Sequence, residues 1–105
     1  MSKTYIQKMT YFGKKIRELR TTKKVPLRVL AAFLGIDTSV LSKVERGQRS
    51  ISREMAIKIA IFFELEPREL LVEFLSDKVA YIIYDEDNRE EILKLAEIKV
   101  EYLKK

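Results

Sequence analysis

The chain of 105 residues contains neither cysteine nor histidine. The first absence excludes disulfides and thiolate metal sites and fits a reducing compartment. The second removes the usual general base and the commonest metal ligand. Glycine and proline are scarce, at three and two residues, and nowhere cluster into a linker. The longest apolar runs, VLAAFL (29–34) and VAYIIY (79–84), fall far short of the ~20 residues of a membrane-spanning helix. The opening MSKTYIQKMT lacks the apolar stretch of a secretory signal. The expectation is a cytoplasmic domain with no cofactor, no metal site and no membrane partner.

Acid is scarce in one half only. Residues 1–53 hold 13 Lys/Arg against 3 Asp/Glu, whereas residues 54–105 hold 8 against 13, so a net +5 divides into +10 and −5. A basic half beside an acidic half suits a polyanion bound at one end, although lysines can also merely solubilise a helical surface. With 47% apolar and 35% charged residues, the chain has the balance of a single folded domain.

Every clear period is helical. Phe12, Ile16 and Leu19 form one stripe, with Thr10 as a candidate N-cap. A second helix starts near Pro26, buries Leu30, Ala31 and Leu34, and ends at Gly35. Asp37 is positioned to cap a third helix that turns Leu41 and Val44 inward before Gly47. Ser52 can cap a fourth, with Ala56, Ile59, Ala60 and Phe63 inward, and Glu54 in its first turn suits the helix dipole. Pro67 opens a fifth, with Leu70, Leu71, Phe74 and Leu75 apolar. Beyond it, Leu75, Val79, Ile82 and Ile83 keep helical spacing. VAYIIY is also β-rich, but a lone strand would have no partner. DEDN (85–88) is a break, and a last helix from about Arg89 to Lys104 aligns Ile92, Ala96, Val100 and Leu103.

The segment VPLRVLAAFLGIDTSVLSKVERGQRSISR (25–53) is the layout of a helix-turn-helix: an apolar-stripe helix, a Gly-Ile-Asp turn, and a short helix led by small polar side chains. FGKKIRELR (12–20), LAAFLGIDTSVLSKVERGQRSIS (30–52) and AIKIAIFFELEPRELL (56–71) together resemble the Xre/Cro-type helix-turn-helix family of phage repressors and bacterial regulators. The resemblance covers residues 10 to about 75. It implies an all-α fold, a five-helix lambda-repressor-like DNA-binding bundle over residues 10–75, with residues 76–105 as a C-terminal helical extension.

The resemblance also implies roles. Thr38, Ser39 and Lys43 fall where the family contacts bases, with Val40 and Ser42 as nearby candidates. Hydroxyls, a thymine-facing methyl and a lysine reaching guanine are the groups such readout needs. Arg46, Gln48 and Arg49 fall where the chain meets phosphate. Glu45 resembles the family's acidic residue paired with a first-helix arginine, here Arg20, in a structural ion pair. The sequence departs from the family at Leu27, where a phosphate-touching glutamine is common, so Arg28 or the helix's own amides would take over that contact. A single such domain covers few base pairs, so the resemblance implies a homodimer on a palindromic site of double-stranded DNA. The extension, through Ile82, Ile83, Ile92, Ala96, Val100 and Leu103, is the candidate dimer interface, the alternative being a cap on the monomer core. Leu70 and Phe74 of the fifth helix are further candidates for it.

The reading is a sequence-specific transcriptional regulator, a repressor or autoregulator. The alternative is an antitoxin-like interaction module that neutralises a protein partner encoded nearby. An enzyme would have to be assembled from carboxylates, lysines and tyrosines alone. Its only acidic string, Asp85-Glu86-Asp87, has the look of a solvated turn and lacks the spacing of a calcium loop.

Overall fold

The computed structural model describes residues 11–105. It contains six helices among these residues and no strand: α1 (Tyr11–Thr22), α2 (Leu27–Leu34), α3 (Thr38–Glu45), α4 (Arg53–Phe62), α5 (Pro67–Ile83) and α6 (Arg89–Leu103). The apolar stripes meet where periodicity puts them. Phe12, Ile16, Leu30, Ala31, Leu34, Leu41, Val44, Ala56, Ile59, Ala60, Phe63, Leu70 and Phe74 form one buried core. Ile16, Leu30, Leu41, Ile59 and Leu70 are fully buried, each worth about 1.5–3 kcal/mol relative to exposure. Phe12 and Phe74 meet edge-on with ring centroids 5.2 Å apart, tying α1 to α5.

The expected boundaries hold with three amendments. Asp37 occupies the N-cap of α3, but its side chain makes no capping hydrogen bond; Ser52 at the N-cap of α4 does cap, its Oγ accepting from Met55 N at 3.2 Å. Leu75, one of the four apolar residues noted in the fifth helix, is exposed, because that helix presents Leu70 and Phe74 to the core and turns Leu75 away. VAYII is neither a strand nor a separate helix: it continues α5 without interruption to Ile83. The expected cap Thr10 lies outside the described residues. At the start of α1 it is Asp77, far along α5, that accepts from Phe12 N at 3.3 Å and sets a carboxylate against the positive end of the helix.

Four helix ends close in the same way. The residue after α2 is Gly35 at φ 71°, and Ile36 N returns to Ala31 O at 3.0 Å. Gly47 at φ 76° does the same for α3, with Gln48 N donating to Lys43 O at 2.8 Å. Lys24 (φ 58°) and Glu64 (φ 57°) close α1 and α4 in the left-handed conformation without being glycine. These tight closures let four short helices follow one another within about fifty residues.

Helix α6 stands apart. None of its residues is buried, and among the described residues it packs appreciably on no other helix.

Candidate nucleic-acid interface

Helix α3 is held by one face and open on the other. Leu41, Val44 and Glu45 are buried, and Gly13 of α1 lets the two backbones come together. A β-carbon on Gly13 would lie 2.5 Å from the Val44 carbonyl oxygen and 2.7 Å from that of Glu45, so only glycine fits. Arg20 then clamps the C-terminal turn of α3. Its Nε and Nη2 donate to the two Glu45 carboxylate oxygens at 2.7 and 3.0 Å, and Nη1 donates to Val25 O at 3.1 Å. The pair is poorly solvated, with side chains 14% and 5% exposed. Hydrogen bonding to Glu45 raises the Arg20 pKa above its ordinary value, so the guanidinium stays charged at any working pH. An ion pair between the first helix and the end of the third is what the family resemblance implies, and here it engages both carboxylate oxygens.

With that face fixed, the spacing i, i+4, i+7 puts Ser39, Lys43 and Arg46 on the opposite side, all exposed. Thr38 is exposed at the first turn, and Val40 and Ser42 lie half-buried at the two margins. The closure at Gly47 turns the chain away so that Gln48 and Arg49, both exposed, follow directly from the end of the helix. Arg46 Nε donates back to Ser42 O at 3.3 Å. Arg28 is exposed on the first turn of α2, while Leu27 beside it is partly buried against the core. Leu27 therefore serves packing, which accounts for the apolar residue at a position that in the resembled family is often polar. Among the described residues, Arg28, Lys43 and Arg49 form no ion pair. Unpaired cations flanking a projecting helix are what a phosphate backbone attracts.

The candidate dimer residues are dispersed. Ile82, Ala96, Val100 and Leu103 are exposed and Ile92 is half-buried, whereas Ile83 is buried in the monomer. Two features have no local sequence signal. The close approach at Gly13 depends on residues some thirty positions away. A groove of about 620 Å³ lies between Tyr11 and Phe12, the loop of residues 47–51 and the second half of α5, lined by Gln48, Arg49, Lys78 and Tyr81 among others. Among the described residues, no group of acidic side chains is arranged to hold a metal ion, and no helix is long and apolar enough to cross a membrane.

Comparison with known proteins agrees with this geometry. The family model described as "HTH_3: Helix-turn-helix" matches residues 16–70, from the middle of α1 to the first turn of α5. Two curated relatives come from Bacillus subtilis (strain 168). The uncharacterized HTH-type transcriptional regulator RghRB is 38% identical over 50 residues, covering 48% of this chain and 36% of the relative. The HTH-type transcriptional repressor RghR is 32% identical over 50 residues, covering 48% and 37%. The chain thus matches little more than a third of the length of either relative. Among solved structures, the restriction-modification controller protein C.AhdI from Aeromonas hydrophila is 46% identical with a TM-score of 0.52, over 56% of this chain and 89% of that one.

Proposed function

Because the chain belongs to the helix-turn-helix family of DNA-binding transcriptional regulators, we propose that it acts as a homodimer on a palindromic operator, as a repressor or autoregulator of the controller type. The observation that carries this reading is α3 itself: a helix anchored by Leu41, Val44 and the Arg20–Glu45 clamp, with Ser39, Lys43 and Arg46 projecting together. Thr38, Ser39, Val40, Ser42 and Lys43 read base edges in the major groove, Lys43 reaching guanine O6/N7. Arg28, Arg46, Gln48 and Arg49 hold the phosphates on either side. The likeness to a controller protein supports the regulatory assignment, since it spans most of that protein's length. Half-sites recur about 34–36 Å apart on one face of the duplex, which calls for a second copy. The extension beyond residue 75 supplies the surface for that copy, through Ile82, Ala96, Val100 and Leu103, all exposed in the single chain.

The test is fluorescence anisotropy of the purified protein on DNA from upstream of its own gene and on a scrambled duplex, across a salt series. Tight binding to the first alone that survives about 200 mM salt supports the operator reading. Equal, steeply salt-dependent binding to both leaves only phosphate attraction. Copurification of a neighbouring gene's product with a protein that ignores its upstream DNA would favour the antitoxin-like alternative.

A further inference from the structure

The groove between the start of α1, the loop of residues 47–51 and the second half of α5 has a volume of about 620 Å³. That falls in the range of about 300–1,000 Å³ typical of small-molecule sites. Its apolar side is largely aromatic: Phe12 and Phe74, edge-on and nearly buried, are joined there by Tyr81. Three charged residues line it, Arg49 on the loop and Asp77 and Lys78 on α5. The Asp77 carboxylate is already engaged, accepting from Phe12 N at 3.3 Å at the positive end of α1. Lys78 holds its ammonium 4.8 Å from the centre of the Phe74 ring, which draws the charge over the groove's aromatic side. Among the described residues, neither Arg49 nor Lys78 forms an ion pair. Asp85, the next acid along the chain, does not line the groove. Two cations, one on each of two walls, therefore stand against a single committed carboxylate.

We propose that this groove is an effector site for a small aromatic carboxylate, its ring against Phe12, Phe74 and Tyr81 and its charge taken by Arg49 and Lys78. An apolar, ring-lined groove with a few convergent polar groups is the form such sites take. Arg49 is also the residue assigned above to DNA phosphate, and one guanidinium cannot serve both anions at full strength. The effector therefore weakens DNA binding, and DNA weakens effector binding by the same factor. This coupling rests on the phosphate assignment of Arg49, whereas the site does not.

Two dyes test it on the full chain. 1-Anilinonaphthalene-8-sulfonate carries a sulfonate in place of the carboxylate; N-phenyl-1-naphthylamine has the same rings without the charge, and both brighten in apolar surroundings. Each should bind saturably, one per chain. Lys78→Ala and Arg49→Ala, each first checked for native helicity by circular dichroism, should weaken the anionic dye about tenfold, the loss of one charge-assisted contact, and leave the neutral dye unchanged. Ala80→Phe, which puts a further ring into the groove, should weaken both. Dye binding indifferent to all three variants lies on another apolar surface and overturns the site. Equal loss of both dyes in Lys78→Ala and Arg49→Ala overturns it too, since the groove would then read no charge. So does the absence of saturable binding, the result if residues 1–10 or a second copy fill the groove. A duplex should then release the anionic dye and leave the neutral one bound. Phosphate is common to all sequences, so a scrambled duplex at low salt serves as well as DNA from upstream of the gene. If neither duplex releases the anionic dye, the effector role falls together with the phosphate contact of Arg49. Upstream DNA that binds no tighter than scrambled DNA defeats the operator reading alone and leaves the effector site standing.

Discussion

Replacing Glu45 with alanine removes from Arg20 its two carboxylate acceptors at 2.7 and 3.0 Å and leaves a charged side chain only 14% exposed. Breaking a buried pair from one side costs about 3–5 kcal/mol, because the remaining charge is neither solvated nor matched. Arg20 retains the Val25 carbonyl at 3.1 Å and some water, which puts Glu45→Ala near about 3 kcal/mol, at the lower end of that range. Arg20→Ala strands the less exposed partner, a carboxylate at 5%, and should cost about 4 kcal/mol. For a domain of this size each kcal/mol moves Tm by roughly 4–8 °C, so either change lowers Tm by well over 10 °C. The double replacement Arg20→Met/Glu45→Leu leaves no charge behind and should lie within about 1 kcal/mol of the parent. Urea denaturation followed by far-ultraviolet circular dichroism measures all three. The reasoning fails if either single variant costs under about 1 kcal/mol, or if the double variant loses the sum of the two.

Two glycines separate two causes of strain. Gly13→Ala drives a methyl into the Val44 and Glu45 carbonyls, which flexible side chains cannot relieve, and should cost about 1–3 kcal/mol while weakening DNA binding through displacement of α3. At Gly35 nothing lies within 4 Å of an added β-carbon, so Gly35→Ala should cost only the left-handed backbone penalty of about 1 kcal/mol, with Gly35→Asn milder; equal losses at both glycines would contradict this. Ser52→Ala removes the one observed side-chain cap of α4 and should cost about 1 kcal/mol, against a few tenths for Ser52→Gly, as read from urea midpoints. On DNA, Lys43→Ala should lose affinity mainly for the best site, whereas Arg49→Ala should weaken all sequences alike and lower the salt slope by about one; matching behaviour in anisotropy titrations would sink the assigned division of roles.

What could be read in advance follows from the range over which each cause acts. The inward stripes, such as Leu30, Ala31 and Leu34 or Ala56, Ile59 and Phe63, are set by a period of 3.6 along one segment, and they are buried as expected. Gly35 and Gly47 mark helix ends because glycine adopts the left-handed conformation freely, and both do so here. Lys24 and Glu64 occupy that same conformation without the residue type that would reveal it. The projecting face of α3 was legible because its cause is local, an eight-residue helix with three buried anchors. Asp77 capping α1 was not, since the two groups are 65 residues apart and meet only through packing. The exposure of Leu75 was not legible for a related reason: an apolar residue at helical spacing shows which face it shares, and only the assembled neighbours decide whether anything covers that face.

Helix α1 touches both α5 and α3. At its start Asp77 of α5 holds the Phe12 amide, and Phe74 meets the Phe12 ring. One residue later Gly13 lies against the last carbonyls of α3, and Arg20 grips Glu45. With packing this tight, α5 cannot tilt by much without carrying α1, and α1 cannot shift without steering α3. The first helix is therefore a stiff crank between the helix that leads into the extension and the helix that projects from the bundle. Whatever fixes the angle of α5 fixes the aim of α3.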